Sequence, residues 1–156
     1  MQYISYKKGL TILELLIVVS IMAILATIIM LSFASFRNNS ALQTASEDTI
    51  SILNKARGNT IASKDGYQYG VHFGTNDITL FRGTVFVSGD SSNEVHTLDT
   101  AIQVGTIALS GGGSDVIFQK FTGKTDQYGT TTLQVASDSS KNVVINIEKT
   151  GIVGFQ

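Results

Sequence analysis

Residues 9–36 read Gly9-Leu10-Thr11-Ile12-Leu13-Glu14-Leu15-Leu16-Ile17-Val18 followed by VSIMAILATIIMLSFASF. Glu14 is the only ionisable side chain from Leu10 to Phe36, and the 22 residues 15–36 carry no charge. At about 1.5 Å per residue, a helix of that length spans roughly 33 Å, enough for a bilayer core. Lys7 and Lys8 precede the run and Arg37 closes it. The positive-inside rule then puts the N-terminus in the cytoplasm and the remaining chain outside the cytoplasmic membrane.

Two ordinary readings of this segment fit less well. A secretory signal peptide has an apolar stretch of about 7–15 residues and a small-residue cleavage site. This run is longer and ends without an A-x-A pattern. A plain membrane anchor accounts for the length and flanks but not for Glu14. A carboxylate inside an apolar run is costly and usually functional. Lying four residues into the run, near the interface, it has one bland explanation, a snorkelled or protonated acid.

The stretch from Gly9 to Val18 resembles the class III, prepilin-type signal of type IV pilin-like proteins and type II secretion pseudopilins. That signal is a short basic leader ending in Gly, an apolar residue, Thr, two apolar residues, Glu and a long apolar helix. Every position matches, with Leu10 in place of the more usual Phe or Met. The resemblance implies cleavage between Gly9 and Leu10 by a prepilin peptidase, and methylation of the new Leu10 amine. Gly9, having no side chain, lets the backbone enter a tight aspartyl-protease site. The resemblance also implies that Glu14 pairs with the N-terminal amine of a neighbouring subunit during assembly. A charge buried in an apolar bundle is tolerable only when paired, and an acid in the first helical turn suits the macrodipole. The implied partners are membrane lipid before assembly, other pilin or pseudopilin subunits and an inner-membrane assembly platform.

Beyond Arg37 the helical pattern turns amphipathic. Leu42, Ala45, Thr49, Ile52 or Leu53, and Ala56 recur at steps of three to four. Polar residues such as Asn39, Gln43, Glu47, Asp48, Asn54 and Lys55 fall between them. One helix of ~50 residues, about 75 Å, is expected, weakened at Gly58 and terminated near Asp65-Gly66. Many major pilins have a proline within the apolar helix. This chain has none, which leans towards a minor pilin or pseudopilin, with Ser20 and Thr27 as weak local looseners.

From Tyr67 the pattern is one of short strands. Residues 69–73 and 77–81 flank Gly74-Thr75-Asn76 as a hairpin. Residues 84–88, 95–98 and 106–109 are further candidates. Residues 116–121, 131–136, 142–147 and 151–155 are expected to form a final antiparallel meander, with 138–141 joining two of its strands. The expected fold class is α+β: a long N-terminal helix, half membrane and half amphipathic, packed on an antiparallel β-sheet head. Val116-Ile117-Phe118, Gly123, residues 133–135, residues 143–147 and Gly151-Ile152-Val153 resemble the heads of the GspH/FimT-like group. The expected organisation is a leader at 1–9, a membrane and filament-core helix at 10–36, an amphipathic continuation at 37–66 and the β head at 67–156.

The chain has 11 basic and 12 acidic side chains and no cysteine, so disulfides and thiolate metal sites are excluded. His72 and His96 are its only histidines. No G-x-S-x-G context accompanies them, no metal-ligand spacing is visible, and no catalytic role is expected. Gly123-Lys124-Thr125 looks like a P-loop end, but Phe118 occupies the required glycine position, so a hairpin turn is expected. Gly111–Gly113 lacks dinucleotide-loop spacing, and no cofactor is expected. Phe73, Phe81, Phe86, Phe118 and Phe121 are expected in the core. The alternative function is DNA capture by a minor pilin in natural transformation. The tail TGIVGFQ has no arginine, and loss of Lys7 and Lys8 leaves 9 basic against 12 acidic groups, net −3. Phosphate binding favours the opposite sign, so nucleic acid is not an expected partner.

Overall fold

The computed structural model describes Gly9 and residues 11–156. They fall into two compact units divided between Arg37 and Asn38. One helix, α1 (Ile12–Ile61), contributes to both. No proline interrupts it, and its first glycine is Gly58 near the end.

In the second unit, called the head, α1 buries one stripe. Leu42, Ala45, Ile52, Leu53 and Ala56 are buried, as the spacing predicts, and so are Ser46, Thr49 and Thr60. These hydroxyls donate back to the Leu42, Ala45 and Ala56 carbonyls at 2.7–2.9 Å, so none is left unsatisfied. Thr60 Oγ1 also accepts from the Tyr69 N–H at 2.9 Å, fastening the helix end to the first strand. After Ile61 the chain reverses through a 3-10 turn, Lys64–Gly66.

Eight strands follow: β1 (Tyr69–Phe73), β2 (Asp77–Arg82), β3 (Glu94–Thr97), β4 (Ile102–Leu109), β5 (Asp115–Ile117), β6 (Gly129–Val135), β7 (Asp138–Ile147) and β8 (Val153–Phe155). They form two four-stranded sheets, ordered β3-β2-β1-β5 and β4-β6-β7-β8, and every pairing is antiparallel. The α+β architecture of a long helix with an antiparallel head is therefore present, with two sheets in place of one. Alternate residues point inward. Val71, Phe73, Ile78, Leu80, Val116, Leu133, Val135, Ile145 and Ile147 join the α1 stripe in one core.

Several expectations are corrected. The β1–β2 hairpin forms with Val71 opposite Leu80, but residues 84–88 are not a strand. Both ladder positions of β2 are taken, by β1 and β3, so this β-prone segment has no free edge there. Its half-buried Phe86 stacks on His72 at 3.9 Å and meets Phe81 edge-on at 5.6 Å. Residues 116–121 split. The strand ends at Ile117 and pairs with β1, outside the final meander. Phe118 makes a single bridge to Thr125. Phe121, expected in the core, is 82% exposed with φ 64°. Residues 138–141 are not a connection but the start of β7, after a two-residue turn at Ala136-Ser137.

Two glycines of the GspH/FimT-like pattern have a packing reason. Gly123 (φ 65°) and Gly151 (φ 79°) bring two loops together beside Arg57 and Ile61. A Cβ on Gly151 would overlap the Gly123 carbonyl oxygen, and a Cβ on Gly123 would lie 2.7 Å from Ile61 Cδ1.

Candidate functional site

The residues singled out by the sequence lie at the start of α1. Thr11 precedes the first helical residue, and its Oγ1 accepts from the Glu14 N–H at 3.2 Å. Thr11 is thus the N-cap, satisfying one of the four N–H groups that a helix start leaves without partners. The Leu15 N–H donates to the Thr11 carbonyl at 3.1 Å, closing the first turn. Thr11-x-x-Glu14 has capping-box spacing. The resemblance assigns Thr11 only a motif position, whereas the four-residue spacing by itself signals this capping role.

Glu14 is exposed in the first turn, where a negative charge complements the helix dipole. Its carboxylate has no ion-pair partner among the described residues. Around it, Leu13, Leu15, Leu16, Ile17, Val18 and Ile21 are all roughly half or more exposed. An apolar surface on every side of a helix calls for lipid or other helices. The helix is long and apolar enough to cross a membrane. Two of the polar side chains within the run bond back to their own helix. Ser20 Oγ donates to the Leu16 carbonyl at 2.7 Å and Thr27 Oγ1 to the Ala23 carbonyl at 2.9 Å. Gly9 is exposed. Lys7, Lys8 and Leu10 lie outside the described residues.

In the head, the structure gives His72 a carboxylate neighbour that no sequence spacing announces. His72 faces Asp115 across the β1–β5 register, Nδ1 to Oδ1 at 2.6 Å, a cross-strand polar pair. His96 is exposed on β3. No cluster of three or more His, Asp or Glu suited to a metal occurs among the described residues. Lys55 of α1 donates to Glu94 of β3 at 2.5 Å, and this contact holds the Glu94 carboxyl below its ordinary value. Burial, reinforced by Asp65, pushes the Tyr69 phenol up. The Gly123-Lys124-Thr125 stretch is the turn that the sequence predicts: the Gln119 N–H donates to the Lys124 carbonyl at 2.8 Å.

The head also has a groove of about 480 Å³, bounded by α1 residues including Leu42, Gln43 and Glu47, by Lys141 and Val143 of β7, and by Phe155 of β8.

Residues 4–30 match the family described as the prokaryotic N-terminal methylation motif. No curated protein matches the chain. Among solved structures, the fold is similar to the type IV minor pilin FimU of Pseudomonas aeruginosa strain PAO1 in two crystal forms. One match has TM-score 0.55 and covers 74% of this chain and 92% of that chain. The other has TM-score 0.58 and covers 78% and 92%. Identity is 14% in both, so the likeness is one of fold. The chain therefore carries the prokaryotic N-terminal methylation motif at the start of a fold similar to that of a type IV minor pilin.

Proposed function

We propose that the chain is a structural minor pilin or pseudopilin. Prepilin peptidase cuts between Gly9 and Leu10 at the cytoplasmic face, releasing the 1–9 leader with Lys7 and Lys8, and methylates the Leu10 amine. Residues 10–36 hold the subunit in the cytoplasmic membrane as a single span, N-terminus inside and head outside. The subunit then enters a type IV pilus or a type II secretion pseudopilus.

The observation that carries this reading is the setting of Glu14: a carboxylate without an ion-pair partner among the described residues, on a capped helix whose surroundings are exposed and apolar. In a bundle of such helices an unpaired carboxylate costs several kcal/mol. The freed amine of a neighbouring subunit removes that cost when the two helices are staggered correctly. The pair then sets register, as single polar residues do in coiled coils. The type IV minor pilin FimU, with a similar fold, supports a filament role for this head.

Coexpression with a prepilin peptidase and mass spectrometry of the product test the reading. The expected product starts at Leu10 and carries one methyl group. Glu14→Ala is expected to be cut normally yet to be absent from sheared filaments. An uncut chain beside a processed control prepilin would overturn the assignment, and normal incorporation of Glu14→Ala would remove the role of that residue.

A further inference from the structure

Three non-glycine residues of the described chain have left-handed backbone: Ser63 (φ 47°), Asp65 (φ 51°) and Phe121 (φ 64°). They belong to one place. Lys120 Nζ donates to the Gly66 carbonyl at 2.5 Å, joining the Phe121 loop to the turn that contains Ser63 and Asp65. Such conformations are strained and persist where the surroundings enforce them. Here they hold out Phe121, the most exposed large apolar side chain described in the head. Gly123 seats this loop against Arg57 and Ile61, near the C-terminal end of α1. The ammonium of Lys124 has no partner among the described residues.

The groove lies at the other end of the head's portion of α1. It offers Leu42, Val143 and Phe155 as apolar lining, with Glu47 on the helix side and Lys141 on the strand side. Glu47 is held by Gln43 at 3.0 Å. Its volume falls within the roughly 300–1,000 Å³ typical of concave binding sites. An aromatic ring brings about 150–250 Å² of burial to such a site.

We propose that the Phe121 loop of one head seats in this groove of a second copy. Charge selects the occupant. Lys124 faces Glu47, and Asp126, two residues further on, supplies the opposite sign for Lys141. Knob and groove are different patches, roughly 20 Å apart along α1 at about 1.5 Å per residue. The contact is therefore heterologous, so it propagates head to tail instead of closing as a two-fold dimer. It rests on the filament-subunit reading and adds a head-to-head bond to the one made by Glu14.

The chain has no cysteine, so an engineered pair reports alone. Thr122 and Gln43 are exposed and flank the knob and the groove. The full chain carrying Thr122→Cys and Gln43→Cys, expressed with prepilin peptidase and its filament machinery, is expected to give a disulfide-linked ladder on mild oxidation. Either cysteine alone gives none. Adding Phe121→Ala is expected to reduce the ladder at least tenfold. Glu47→Lys reduces it as well, and Glu47→Lys with Lys124→Glu restores it. Filament incorporation without a ladder overturns this proposal and leaves the filament reading intact. A chain that is neither processed nor incorporated overturns both.

Discussion

The two halves of α1 share one secondary structure but differ in apolar content and in environment. In the first half Leu15, Leu16, Ile17 and Leu25 are more than half exposed. In the second, Leu53 and Ala56 are completely buried. Both are helical, so the difference does not lie in local propensity. It lies in pattern. The second half alternates its apolar stripe with polar residues and meets two sheets. The first is apolar on every side and is unburied among the described residues. A soluble core explains the head's helix, whereas the first half is explained only by lipid or by other subunits.

The comparison breaks most visibly under truncation. Leu53→Ala should destabilise the head by about 2–5 kcal/mol, because it leaves a cavity between α1 and the sheets. Leu25→Ala should change head stability by less than about 0.5 kcal/mol. Denaturant titration of the full chain in detergent, followed by near-UV signals of the head, measures both. Equal effects would show that the apolar half is part of the head's core.

Gly151→Ala comes next. The left-handed backbone alone costs about 1–3 kcal/mol, and the new methyl would overlap the Gly123 carbonyl. The same titration should show the loss, and Gly154→Ala, at a position with open space around it, should show little.

A smaller, local effect belongs to the other half. Thr11→Ala removes the N-cap and should cost about 1 kcal/mol. Hydrogen exchange should accelerate over residues 12–15 only, with head amides unchanged, and Thr11→Asn should restore protection. Acceleration in the head would mean that the two halves unfold as one unit.

The smallest effect is electrostatic. Lys55 lowers the Glu94 pKa on folding, so the pair adds stability above the ordinary carboxyl value of 4.5 and loses it as pH falls through the lower folded value. Both groups are nearly half exposed, so the contribution is at most about 1 kcal/mol and is screened by salt. Lys55→Met should flatten the acid limb of the stability profile by that amount.

Legibility in the sequence follows the range of the interactions. The α1 stripe from Leu42 to Ala56 was readable because a 3.6-residue period is a local property. The β1–β2 hairpin was readable because three turn residues join two alternating runs. The strand misread at 84–88 has sound β chemistry. What removes it is competition for the edges of β2, which only the assembled sheet decides. The division of 116–121, and the pairing of β5 with β1, depend on partners more than forty residues away, as does the His72–Asp115 contact. At the candidate site, Glu14 stood out by composition, while the capping role of Thr11 was available in a four-residue spacing and went unread.

Ser20 and Thr27 carry one further consequence. Because each hydroxyl bonds to a carbonyl of its own helix, these groups ask nothing of the medium. Their segment can exchange acyl chains for protein neighbours without breaking a single internal polar link. Hydrocarbon tails are about as apolar as leucine, so such a swap is close to thermodynamically level. On the proposed filament reading, extracting the helix from a bilayer then has little to overcome beyond dispersion contacts and the settling of one charge.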